Sequence, residues 1–260
     1  MGALGYTAVT DGGAAIAHLA VGATGVGPTR VLLAGLGAAA TITWAPVVAH
    51  PSFDRSKPAL ILDFLGGGWS DADDGFDYAI DAHARTVIGL LDSMATEPVE
   101  LVGHSLGGSV AISLAAQRPD LVDRLVVIEP NLDPGVGSTS VEIATFSEDE
   151  FVRSGHDDMV ERELRRGATG DAISAEYART LRRWSSRGLH RTAVSLLAER
   201  PATFREQLAA FPGERVYVSG ELSREDLGPI RAIGCEVRVV PNAGHVVMVD
   251  NLDAFVAAIG

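Results

Sequence analysis

Cysteine and lysine are almost missing from this chain: Cys235 is the only cysteine and Lys57 the only lysine. A single cysteine excludes an internal disulfide and leaves no thiolate set for a zinc or iron–sulfur centre. It lies in the apolar run CEVRVV, so a packed thiol is expected rather than a reactive one. Positive charge is scarce, with 21 basic residues against 34 acidic and a formal net charge of −13. That balance repels phosphate backbones and argues against a nucleic-acid partner. Apolar runs of membrane-spanning length are lacking, so no membrane partner is expected. The opening MGALGYTAVTDGGAAIAHLAVG has no basic leader and is interrupted by Asp11 and His18. It reads as two strands around the turn Asp11-Gly12-Gly13, not as a signal peptide. A soluble cytoplasmic protein that acts on a small molecule, with no cofactor and no metal, is the expectation.

The 260 residues suit one large α/β domain, or one domain with an insertion. Beyond the N-terminal pair, short apolar runs at Val31–Ala34, Ala59–Asp63 and Val99–Gly103 fit strands buried on both faces. Helical spacing appears from Tyr78 to Met94, where Ile80, Val87, Leu90 and Leu91 recur, and again from Leu106 to Gln117. The next strand is Leu125–Glu129. Strand and helix alternate, which predicts an open, mostly parallel sheet with helices on both faces. From Asn131 to about Gly213 the text turns helical and charged, and the alternation then resumes with Val216–Ser219, a helix around Leu227–Ile233, Val237–Val240 and a last helix from about Val247. Residues 131–213 therefore read as a helical insertion, a lid, within a core formed by 1–130 and 214–260. Its charged runs, Ser147–Glu150 and Glu161–Arg166, read as solvated helix faces with i,i+4 pairing.

Residues 101–108, LVGHSLGG, carry the pattern in which a serine sits on a strained turn between strand and helix. A catalytic Ser105 needs a base, a carboxylate to orient that base, and N–H donors for the oxyanion. In the strand-turn-helix arrangement the chain order is serine, acid, histidine. Only His156, His190 and His245 follow the serine. The first two lie in the helical stretch and read as exposed surface histidines. His245, in VVPNAGHVVMVDN between the final strand and the final helix, is placed where a loop reaches the carboxyl edge of the sheet. His104 points away along the turn and reads as structural.

Several segments in order resemble an α/β-hydrolase over nearly the whole length. These are VLLAGLG, DFLGGGWSD, VGHSLGGSVAISLAAQRPDLVDRLVVIEP and PNAGHVVMVDNLDAF, similar to that family's oxyanion turn, the turn after its next strand, its nucleophile elbow and its histidine loop. The resemblance implies an eight-stranded, mostly parallel sheet, a serine nucleophile, a histidine base, an acid and a helical lid. Two departures stand out. The family's His-Gly-x oxyanion motif is here Ala34-Gly35-Leu36; because the donor is a backbone N–H, Leu36 N–H paired with Leu106 N–H is still expected to form the hole. The family's G-x-x-D acid position is Ser223. Glu129, at the end of an apolar strand and before Pro130, resembles the acid placement of the haloalkane dehalogenase-like group and is preferred. Glu221 is the alternative, and a chain with no functioning acid is a third reading. For Glu129 the competing role is a cap on the N–H groups of Asn131 or Leu132.

A serine at the elbow argues against dehalogenase and epoxide-hydrolase chemistry, which use Asp there, and for an acyl-enzyme. Hydrolysis of an ester, thioester or lactone comes first. Carbon–carbon bond hydrolysis, cofactor-free haloperoxidation, cyclisation or acyl transfer, and non-catalytic ligand binding stay open on the same fold. Trp44 and Trp69, on loops expected to reach the pocket, favour a largely apolar small molecule.

Overall fold

The computed structural model describes residues 4–22, 28–94 and 97–260, and each absence noted below refers to them; residues 1–3 of the N-terminal segment lie outside. The strands are β1 (Leu4–Ala8), β2 (Ala15–Val21), β3 (Arg30–Leu33), β4 (Ala59–Leu62), β5 (Val99–His104), β6 (Val122–Ile128), β7 (Glu214–Gly220) and β8 (Glu236–Val240). They form one sheet in the order β1-β2-β4-β3-β5-β6-β7-β8. Only β1–β2 and β2–β4 pair antiparallel; β4–β3 and everything from β3 to β8 is parallel.

β3, β4 and β5 are buried at every position, as continuous apolar runs covered by helices on both faces should be. Alternate residues serve opposite layers. Val31, Leu33, Leu60, Leu62, Leu101 and Leu125 meet the helices Ile80–Ser93 and Leu106–Gln117. Leu32, Ile61, Val102 and Val126 meet Trp44, Val47 and Phe255 on the other side. That second layer is built by two short helices, Ala40–Thr43 and Ala45–Ala49, which no apolar period announces, and by Leu252–Ile259. The final helix is interrupted: Val247–Asp250 stops, and Asn251 Oδ1 accepts from Ala254 N–H to start Leu252–Ile259 afresh. Cys235 is buried, and burial raises its thiol pKa, so it is a packed side chain. No helix is long and apolar enough to cross a membrane.

At the amino edge of the sheet, Glu100 gathers three cations. Its Oε1 accepts from Arg30 Nε and Arg124 Nη1, both at 3.1 Å, and its Oε2 pairs with Lys57 Nζ at 3.2 Å. Arg30 is 2% and Glu100 1% exposed, so neither can fall back on water. Glu100→Ala would leave Arg30 charged and unpaired in the interior, with an expected cost of roughly 3–5 kcal/mol. Thermal melting checks it; an unchanged Tm refutes it.

Between β6 and β7 there are only helices, from Ser138–Ala144 to Phe204–Ala210. Ser147 and Glu150 form a capping box at the head of one of them, and its chain passes through a π turn, Phe151–Gly155, into the helix His156–Ala168. Two expectations for this block are corrected. His156 and His190 are not exposed surface residues: each ring Nε2 donates to a carbonyl, that of Leu181 at 3.1 Å and of Phe146 at 2.9 Å, and each is largely covered. Glu161 and Arg165 do pair at i,i+4, but Glu163 in the same run is buried and accepts from Ser174 Oγ at 2.7 Å.

The block is tied to the sheet's helices. Ser195 Oγ accepts from Ile80 N–H at 3.0 Å, Trp184 Nε1 donates to Ala38 O at 2.9 Å, and His83 Nε2 meets Thr192 Oγ1 at 3.0 Å. His83 is fully buried among Phe64, Phe76 and Tyr78, and that burial lowers its pKa to about 3. A folded-state pKa below the unfolded value means that acidification protonates the unfolded chain first. His83 therefore supports the fold above pH ~6.5 and loses about 1.4 kcal/mol of support per pH unit below it, down to its folded pKa. Between pH 7 and 5 the loss comes to about 2 kcal/mol. Denaturant melts of wild type and His83→Gln at both values test this; equal pH slopes would refute it.

Candidate active site

The turn after β5 brings three features of the sequence to one place. Ser105 has φ 51° and ψ −118°, a strained conformation for a residue with a side chain. It survives because strand and helix are locked together around it. A Cβ on Gly103 would overlap the Gly107 carbonyl, and one on Gly107 would lie 2.5 Å from Leu33 O, so neither position admits a side chain. Leu106, the first residue of the helix, has no intrahelical acceptor for its N–H. Leu36 N–H also has no acceptor, and the preceding Gly35 lies against the elbow, where a Cβ would stand 3.1 Å from His104 Nδ1 and 3.5 Å from Ser105 Cβ. Both unpaired donors thus flank the serine.

Glu129 follows β6 on a second strained residue, φ 42°. Its carboxylate does not cap Asn131 or Leu132. Instead Oε1 accepts from Gly220 N–H at 2.8 Å and Ser219 Oγ at 3.2 Å, and Oε2 accepts from His245 Nδ1 at 2.8 Å. Burial works to raise the Glu129 pKa, but the bonds from His245 and Gly220 outweigh it and hold the carboxyl at about 2. Ser223, at the family's acid position, borders the same cavity with its Oγ buried and unpaired. Glu221 lies elsewhere: its Oε2 accepts from Asn242 N–H at 2.9 Å.

With Nδ1 on the carboxylate, the other nitrogen of His245 is free for a proton from a hydroxyl. Ser105 and His245 border the same cavity of about 730 Å³, without a hydrogen bond joining them in this structure. Such pairs tighten when substrate arrives. His104 has a role that its sequence position does not disclose. Its Nε2 donates to His245 O at 2.8 Å and its ring lies 4.9 Å from the His245 ring, which fixes the histidine loop against the elbow. Burial first, and the neighbouring His245 second, lower the His104 pKa to about 3, so it serves as a neutral post. The tryptophan expectation is corrected: Trp44 is fully buried against Phe255, and Trp69 is stacked under Arg183 on the surface, so neither reaches the cavity.

A family model described as alpha/beta hydrolase fold matches residues 31–228. The chain belongs to the α/β-hydrolase fold family. An uncharacterised protein of Mycobacterium tuberculosis (strain ATCC 25618 / H37Rv) is 40% identical over 104 residues, 40% of this chain and 29% of that one. A putative carbamate hydrolase of Pseudomonas savastanoi pv. phaseolicola is 32% identical over 152 residues, 58% of this chain and 57% of that protein. The α/β-hydrolase thus spans from under a third to just over half of these curated relatives. Among solved structures, the enol-lactonase of Burkholderia xenovorans LB400 superposes with a TM-score of 0.76 at 23% identity, covering 98% of each chain. Likeness at that level, over nearly the whole of both chains, shows a shared fold.

Proposed function

We propose that this α/β-hydrolase is a serine hydrolase that cleaves an ester, thioester or lactone of a small, largely apolar molecule through an acyl-enzyme. The 2.8 Å bond from His245 Nδ1 to the Glu129 carboxylate carries the reading, because it orients a histidine on the cavity that Ser105 borders. Glu129 holds the imidazole in one tautomer and stabilises its protonated form. His245 Nε2 takes the Ser105 proton as Oγ adds to the substrate carbonyl, and the oxyanion settles on Leu36 N–H and Leu106 N–H. Return of that proton to the leaving group frees it and leaves the acyl-serine. Water, deprotonated by the same histidine, then releases the acid. Residues 131–213 act as the lid: Val136, Ile173, Tyr177 and Leu196 from this block line the cavity. No Arg or Lys among the described residues lines it, which disfavours substrates that carry a carboxylate there.

A fluorophosphonate probe followed by peptide mass spectrometry tests the reading. Labelling is expected at Ser105 in wild type and is expected to vanish in His245→Ala. A folded wild-type protein that resists the probe overturns it.

A further inference from the structure

Three carboxyl groups border the cavity: Glu129, Glu225 and Glu176. The first two are occupied. Glu129 is bound by His245, Ser219 and Gly220, and Glu225 accepts the Tyr217 hydroxyl at 2.8 Å on both oxygens. Glu176, on the helix Ala172–Leu181, has no hydrogen bond or ion pair among the described residues. Arg179, one turn further on, is exposed and makes no ion pair with it. A half-buried carboxyl that no protein group pairs is left to the water of the cavity, which a cationic ligand can replace. Burial raises its pKa and the charge of Arg179 opposes that only in part, so an arriving cation would favour the carboxylate.

A second observation at the same place also points to a ligand. Tyr177, the next residue, turns its hydroxyl toward Gly37 in the turn that carries Leu36. That hydroxyl is buried, has no hydrogen-bond partner, and its burial keeps it protonated far above neutrality. Together the two residues set a carboxyl and a hydroxyl, neither with a hydrogen-bond partner, on one wall beside the turn that carries Leu36. Tyr177 and Tyr217 also line the cavity. The net charge of −13 adds a field of the same sign.

We propose that Glu176 determines specificity at this site by receiving an alkylammonium group of the substrate. The inference rests on the serine-hydrolase reading for its location. It selects among the esters that reading allows: an apolar body with a cationic nitrogen is taken, and an anionic one is refused.

Three p-nitrophenyl esters of matched shape test this at low ionic strength: γ-trimethylammoniobutyrate, its carbon isostere with tert-butyl in place of trimethylammonium, and glutarate. The expected kcat/KM is about 10- to 100-fold higher for the cationic ester than for the isostere, and lowest for glutarate. In Glu176→Gln the cationic-to-isostere ratio is expected to collapse toward one, and in Glu176→Arg the order is expected to invert in favour of glutarate. A purely structural role would move all three rates together and leave the ratio intact, which overturns the proposal. So does a wild-type ratio within threefold of one. Should no ester turn over and Ser105 resist the fluorophosphonate, the hydrolase reading fails separately. Calorimetric titration with benzyltrimethylammonium chloride then decides the specificity proposal: binding weakened at least tenfold by Glu176→Gln supports it, while equal or absent binding overturns it.

Discussion

Ser105→Ala is expected to lower kcat on a generic ester by about a million-fold, the scale on which removing the nucleophile from a triad operates. The proposed bond-making atom is Ser105 Oγ, and none of the neighbouring groups can replace it: His104 is held neutral with its Nε2 committed to His245 O. The loss should not be total, since the two backbone donors and the cavity would still favour attack by water. His245→Ala is expected to cost about as much as Ser105→Ala, and the double variant no more than either, because the groups act as one unit. Steady-state rates with active-site titration measure all three. A Ser105→Ala protein within tenfold of wild type would refute the covalent route outright.

Glu129→Gln is expected to cost about 10⁴ in kcat with the fold intact. The amide keeps the shape of the side chain but presents an N–H₂ where His245 Nδ1–H needs an acceptor, so the ring is left in the wrong tautomer and its cation unstabilised. Glu221→Gln should stay within about threefold of wild type, because Glu221 serves the Asn242 N–H and not the imidazole. A third variant sharpens the comparison. Ser223 borders the same cavity, close enough to Glu129 to lower its pKa, so Glu129→Gln/Ser223→Asp is expected to regain at least tenfold over the single change. If Glu129→Gln stays near wild type while Glu221→Gln collapses, the acid assignment is wrong.

Much of this arrangement was legible in the sequence, and the reason is physical. Strands covered on both faces must be unbroken apolar runs, so Val31–Ala34, Ala59–Asp63 and Val99–Gly103 announced β3, β4 and β5 to within a residue or so. A side chain at the carboxyl end of such a strand is delivered to the sheet's functional edge, and that placement, together with the resemblance to the haloalkane dehalogenase-like group, singles out Glu129 as the proposed acid. The short helices at Ala40–Thr43 and Ala45–Ala49 are below the length at which periodicity registers. Asn251 did carry a cap signal, which an otherwise apolar helix pattern masked. Loop reach is not written in the sequence: tertiary packing sends Trp44 into the layer beneath the sheet rather than to the cavity. His156, His190 and Glu163 were misread as surface residues because the sequence of an amphipathic helix does not say which polar side chains its neighbours will cover. Glu176 and Tyr177 had no local signal at all; only the assembled wall shows that their polar ends lack partners.

The ends of the parallel strands divide two kinds of labour. Arg30, Lys57, Glu100 and Arg124 clasp the amino ends, while Leu36, Ser105 and Glu129 follow the carboxyl ends of β3, β5 and β6, two of them in strained backbone conformations. The two sets share strands but no side-chain contact, and the length of a buried strand separates them. Changes at such distances add nearly independently. Thermal endurance and choice of substrate are therefore expected to be separable in this chain: reinforcing the ionic clasp should lengthen survival without touching the proposed reacting groups, and redesigning the wall around Glu176 should leave the clasp as it is.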